Sequence, residues 1–74
     1  MMTRRIAASQ IILPDGSKYR RHVVELLDSR VVSCLPLNSE MPFTEWYNGT
    51  VVIEEDHIWL LTKLGDGTQR KQLL

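Results

Sequence analysis

Turn-forming residues recur along this chain at intervals that suit short strands better than helices. They fall at Pro14-Asp15-Gly16-Ser17, Asp28-Ser29-Arg30, Asn38-Ser39, Asn48-Gly49, Glu55-Asp56 and Gly65-Asp66-Gly67. Gly, Asn and Asp favour such sites because they tolerate positive φ or bond their own backbone. The runs between them are short and rich in β-branched or bulky apolar residues, which is the all-β pattern. Strands are predicted over about 6–13, 19–27, 30–36, 50–54, 57–64 and 68–73. The fold class expected is all-β: about six short antiparallel strands in a meander, small barrel or sandwich.

Alternation assigns faces within these strands. Val31, Ser33 and Leu35 fall on one side of theirs, with Val32 and Cys34 on the other. Ile58, Leu60 and Leu64 oppose Trp59, Leu61 and Lys63. Val23-Val24, Leu26-Leu27 and Val51-Val52-Ile53 place apolar groups on both faces, as in a closed barrel, a sandwich or a sheet covered by a partner. Residues 18–28 have a second reading, because Tyr19, Val23, Leu26 and Leu27 also fit helical spacing and Ser17 could cap that helix. The β-branched Val23-Val24 pair and the Asp15-Gly16 turn favour a strand. Within Pro42-Phe43-Thr44-Glu45-Trp46-Tyr47, Pro42 blocks strand pairing, Thr44 can cap and Asn48-Gly49 can terminate. This pattern predicts one short helical turn near 43–47.

The 74 residues allow a single domain, 1–74, with one small core. With 43% hydrophobic and 24% charged residues, the composition is globular. Such a domain buries only about 60% of its unfolded surface. The lone Cys34 allows no intramolecular disulfide to supplement it. Together with the doubled apolar faces, this small margin predicts a homodimer built through a sheet face or edge. No apolar run approaches the length of a membrane span, and Ile6–Leu13 is too short and polar for a secretory signal. The expected location is cytoplasmic, with no membrane association.

Nine basic and nine acidic residues cancel, which excludes a uniformly basic nucleic-acid binder. The cancellation hides an uneven distribution: residues 1–39 carry +3, residues 40–66 carry −5 and residues 67–74 carry +2. Lys18, Arg20, Arg21 and His22 form a basic cluster, but on a strand Arg20 and His22 share one face and Arg21 takes the other. Arg20, Arg21, Arg70 and Lys71 are the candidate anion or nucleic-acid contacts. A nucleic-acid reading requires them on one surface with exposed aromatics. Phe43, Trp46, Tyr47 and Trp59 are candidates either for a recognition patch or for a core plug that buries Trp46 and Phe43.

No catalytic constellation emerges. His22, Cys34 and His57 lack metal-ligand spacing, and the carboxylates of Glu54-Glu55-Asp56 point in alternate directions on a strand end. No Gly-x-Ser-x-Gly frames a serine, and no cofactor is expected. The Asn48-Gly49-Thr50 sequon reads as a turn.

Met41-Pro42-Phe43-Thr44-Glu45-Trp46, followed by Asn48-Gly49-Thr50-Val51-Val52-Ile53, resembles a family of small uncharacterised bacterial proteins with a Pro-Phe-Thr-Glu-Trp motif before a Gly-Thr strand. That resemblance implies no activity. A second series runs Ile11-Ile12-Leu13-Pro14-Asp15-Gly16, Val23-Val24-Glu25-Leu26, Arg30-Val31-Val32-Ser33 and Leu35-Pro36-Leu37. It is similar to the small β-domain flanking metal-dependent amidohydrolases. Those enzymes bind metal through a downstream His-x-His that this chain lacks, so the likeness implies an accessory fold without the active site. The expected function is a non-enzymatic homo-oligomer or protein-interaction module with an unknown protein partner. The alternatives are a small-barrel nucleic-acid binder and an amidohydrolase-related accessory domain.

Overall fold

The computed structural model describes residues 3–28, 30–37 and 43–74. Their six strands are β1 (Thr3–Ile12), β2 (Lys18–Leu27), β3 (Arg30–Pro36), β4 (Thr44–Ile53), β5 (Ile58–Leu64) and β6 (Gly67–Gln72). They form one sheet in the order β3-β2-β1-β4-β5-β6. The strand reading of residues 18–28 therefore holds. The Asp15-Gly16 turn is built as its chemistry suggests. Gly16 sits at φ 89°, its N–H donates to the Leu13 carbonyl at 2.9 Å, and the Asp15 carboxylate accepts the Ser17 N–H. That last bond draws the Asp15 carboxyl below the usual range.

The strands are not all antiparallel. Two antiparallel three-stranded meanders, β1-β2-β3 and β4-β5-β6, join through a parallel β1–β4 pairing. β3 ends beside His22, which pairs with Ala8, while β4 begins beside Arg5.

The helical turn expected near 43–47 is absent. Phe43 is a turn residue at φ 57°, and Thr44 to Tyr47 are strand, paired with Arg5 to Ala8. Thr, Trp and Tyr suit a pleated, half-buried surface, and the parallel partner supplies the hydrogen bonds that local propensity could not anticipate. Pro42 and the Asn38-Ser39 turn lie outside the described residues.

Asn48-Gly49 is not a turn either. The β1–β4 register shifts between Ala8 and Gln10: Ala8 pairs with Tyr47 and Gln10 with Thr50. β4 therefore carries one extra residue, a bulge that bends the strand. Arg21, beside this point on β2, has φ 55°. Ser9, Arg21 and Asn48-Gly49 thus mark a kink line across three strands. Its effect on β1 is a change of phase: Ile6 and Ala8 face the core on one side of the line, and Ile11 does so on the other.

The kink folds the sheet onto itself. Arg30 and Val31 of β3 share a cleft of about 830 Å3 with Leu13, Pro14, Ile53 and Glu54, residues from the far end of β1 and β4. The core sits inside the fold: Ile6, Ala8, Ile11, Val24, Leu26, Val51, Ile53 and Ile58, with Val31, Cys34, Tyr47 and Leu60 packed against them. β3 and β6 do not pair, so the barrel stays open. Val31 and Cys34 share the core face, contrary to simple alternation, because a register shift skips Val32 and leaves it exposed.

An ion pair ties the open side. Arg4 donates to both carboxylate oxygens of Glu45 and, at 3.0 Å, to the carbonyl of Leu73 beyond β6. The Tyr47 hydroxyl donates to Glu45 at 2.7 Å. The Arg4 hydrogen bonds hold the Glu45 carboxyl below its ordinary value of 4.5, against the opposing effect of burial. A lowered folded value means stabilisation that is complete above the unfolded value and lost as pH falls through the folded one. Acidification below pH 4.5 should therefore lower the urea midpoint of the wild type, and the profile of Glu45→Gln should be flatter there.

Candidate interaction surface

With one face of the sheet turned inward, the other is the outer surface. Cross-strand register decides which side chains meet on it, because directly paired residues share a face. On the β3 side of the kink, one row runs Leu35–Val23–Ala7–Trp46 across β3, β2, β1 and β4. Ala7 and Val23 are fully buried yet lie outside the inner core cluster. They form a floor of small residues between two larger ones: Trp46, 55% exposed, and Leu35, 44% exposed. A hollow of about 500 Å3 opens beside this row, lined by Trp46, Leu37, Arg21 and Asn48. The neighbouring row, Ser33–Glu25–Arg5–Thr44, is polar, with Arg5 facing Glu25 at 3.6 Å and the Ser33 hydroxyl donating to Glu25.

Across the kink the outer face changes character. Its rows are Arg20–Gln10–Thr50–Leu61–Arg70 and Lys18–Ile12–Val52–Trp59–Gln72. The Arg70 guanidinium lies 4.5 Å from the centre of the Trp59 ring, a cation–π stack. Trp59 Nε1 donates to Glu54 at 2.6 Å, so the indole is held at both its face and its edge.

The four aromatic candidates are therefore dispersed. Phe43 is 96% exposed and Trp46 more than half exposed, so neither acts as a plug. Tyr47 packs against the inner core, and Trp59 is half-buried on the outer face. The four basic candidates divide as well. Arg20 and Arg70 share an outer row, whereas Lys71 pairs with Leu60 on the inward side and Arg21 sits at the kink. Lys63 went unnoticed as a binding candidate. Its parity with Trp59 and Leu61 placed it on their face, but only the strand order brings it to the same cleft as Arg20, across β1 and β4.

The residues weighed for catalysis are dispersed too. His22 Nδ1 is bonded to the Arg20 carbonyl at 2.8 Å, and His57 stands before β5, within hydrogen-bond distance of Gln72. Cys34 lies against the core, where burial pushes its thiol pKa up and away from the reactive thiolate. Among the described residues, no group of three His, Cys, Asp or Glu side chains could hold a metal ion. No helix there is long and apolar enough to cross a membrane. No family model matches this sequence, and comparison with curated proteins and with solved structures found no match.

Proposed function

We propose that this chain is a non-enzymatic interaction module that self-associates through the outer face of its sheet. The observation carrying this reading is the exposure of two large apolar side chains, Trp46 and Leu35, at the ends of a row whose middle members Val23 and Ala7 are already buried. Trp is the side chain most enriched at energetic centres of interfaces, where it fills a pocket on the partner. The hollow beside Trp46, which reaches the core-facing Ala8 and Tyr47 at the kink, offers a pocket next to the same patch. An isologous dimer uses one such patch twice, placing knob and hollow on both partners. The edges suit this role less. β6 is polar and exposed along its length, with Arg70 and Lys71 on it, and β3 is interrupted by the Val32 bulge; both features discourage edge-to-edge pairing.

Light scattering tests the reading. The wild type is expected at twice its 8.6 kDa chain mass at micromolar concentration. Trp46→Glu should give the single-chain mass with an unchanged far-ultraviolet circular dichroism spectrum, since the ring is not needed to fill the core. A wild type that stays at single-chain mass at those concentrations refutes the dimer.

A further inference from the structure

The second half of the outer face carries chemistry that self-association leaves unused. At the kink, between β2 and β5, lies a polar cleft of about 490 Å3. Arg20 and Lys63 line it from opposite sides, with Gln10, Asn48, Thr50 and Ser9 between them. Neither cation has a carboxylate partner among the described residues. The amides are oriented for donation: Asn48 Oδ1 accepts from the Ser9 hydroxyl and Gln10 Oε1 from the Thr50 hydroxyl, each at 3.3 Å. Their nitrogen ends remain to donate. Among the described residues, no carboxylate lines the cleft. In a chain of zero net charge this requires segregation, and the acids among the described residues are indeed elsewhere. Glu45 is bonded to Arg4, Glu25 to Ser33, and Asp15, Asp28, Glu54, Glu55, Asp56 and Asp66 lie in turns.

The cation row continues beyond the cleft. Arg20 and Arg70 lie at its two ends, four strand spacings or about 19 Å apart. Lys18 lies one row over on the same face, and Trp59 is beside Arg70. A small anion would use only the cleft. Cations extended across the strands beside an aromatic ring match a polyanion carrying planar groups. Glu54 opposes it from the margin, where the Trp59 indole N–H engages it.

We infer that this face binds single-stranded nucleic acid, with backbone phosphates in the Arg20–Lys63 cleft and along the row to Arg70, and a base stacked on the outer side of the Arg70 guanidinium that covers Trp59. The footprint is about four nucleotides, at the low end for small β-domains. Three phosphate contacts in a single strand give a slope of log affinity against log salt of about −2. The inference uses neither Trp46 nor the apolar row, so the two readings stand or fall separately.

Fluorescence anisotropy of a short labelled oligothymidylate, titrated with the full chain at low salt, is the test. Binding with that salt slope is expected. Arg20→Glu should weaken it roughly tenfold or more, and Lys71→Glu, the same change in net charge on the inward side, no more than about threefold. The double variant Arg20→Glu/Lys63→Glu should lower the slope to about −0.7 while retaining the wild-type circular dichroism. No anisotropy change at low salt overturns the inference. Equal losses from Arg20→Glu and Lys71→Glu also overturn it, because they would show attraction without a site. So does full displacement of the oligonucleotide by inorganic phosphate at matched ionic strength, which would make the cleft a site for free phosphate.

Discussion

Replacing Gly49 by valine is expected to unfold the domain. A Cβ at this position would lie 2.5 Å from the backbone carbonyl oxygen of Leu61, closer than such atoms approach in folded proteins. The obstacle is backbone, not the mobile end of a side chain, so relief requires β4 and β5 to move apart. That movement would pull Val51 and Ile53 away from Ile58 and Leu60, which together form one wall of the core. A domain of this size holds only about 3–5 kcal/mol of stability, and a backbone clash of this kind costs a comparable amount. Thermal melting by circular dichroism should show either no cooperative transition or a midpoint far below the wild type. Gly16→Ala is the informative contrast. Gly16 also needs glycine, but for its φ of 89° in open space, and the left-handed penalty is only about 1–2 kcal/mol. A Gly49→Val protein as stable as the wild type would show that β5 does not approach the bulge this closely.

Leu26→Ala should be the next most damaging change. Leu26 is fully buried on β2, near the Arg4 end of the sheet, and belongs to the same core cluster as Ile53 and Ile58 near the opposite end. In a flat sheet it would have only row neighbours, and one of its faces would be wet. In the folded sheet it helps fill the space between two halves, so truncation leaves a cavity that the surroundings cannot close. The expected loss is about 3 kcal/mol, the middle of the range for Leu→Ala in cores. Urea denaturation measures it. A loss below about 1 kcal/mol would mean that the two halves do not pack on each other.

Much of this architecture was legible from the chain itself, for physical reasons that can be named. The turns at Asp15-Gly16, Asp28 and Gly65-Asp66 are local: backbone conformation and short side-chain bonds decide them within four residues, and the strand limits follow. The inward set Ile58 and Leu60 followed from plain alternation. What alternation cannot show is where it breaks. Asn48-Gly49 has the same chemistry in a turn as in a bulge, and only the presence of β1 alongside β4 selects the bulge. Val32 looks like any β-branched strand residue until Leu26 pairs with Val31 and skips it. Trp46 read better as a plug than as a patch, and its exposed ring corrects that reading, because its environment depends on the parallel β1–β4 pairing, a contact between distant segments. The cleft was hidden for the same reason. Arg20 and Lys63 are far apart in sequence and meet only through the order β2-β1-β4-β5.

Trp46 and Leu35, the exposed ends of the outer apolar row, are the side chains that a second copy of the chain would cover. The most direct measurement is a series of 15N–1H correlation spectra recorded from low micromolar to millimolar concentration. The Trp46 indole and the amides of Ala7, Val23 and Leu35 should shift together with concentration, while those of Arg70 and Lys71 stay fixed. A spectrum in which the Trp46 indole resonance does not move, at a correlation time that remains that of one chain throughout, would contradict it.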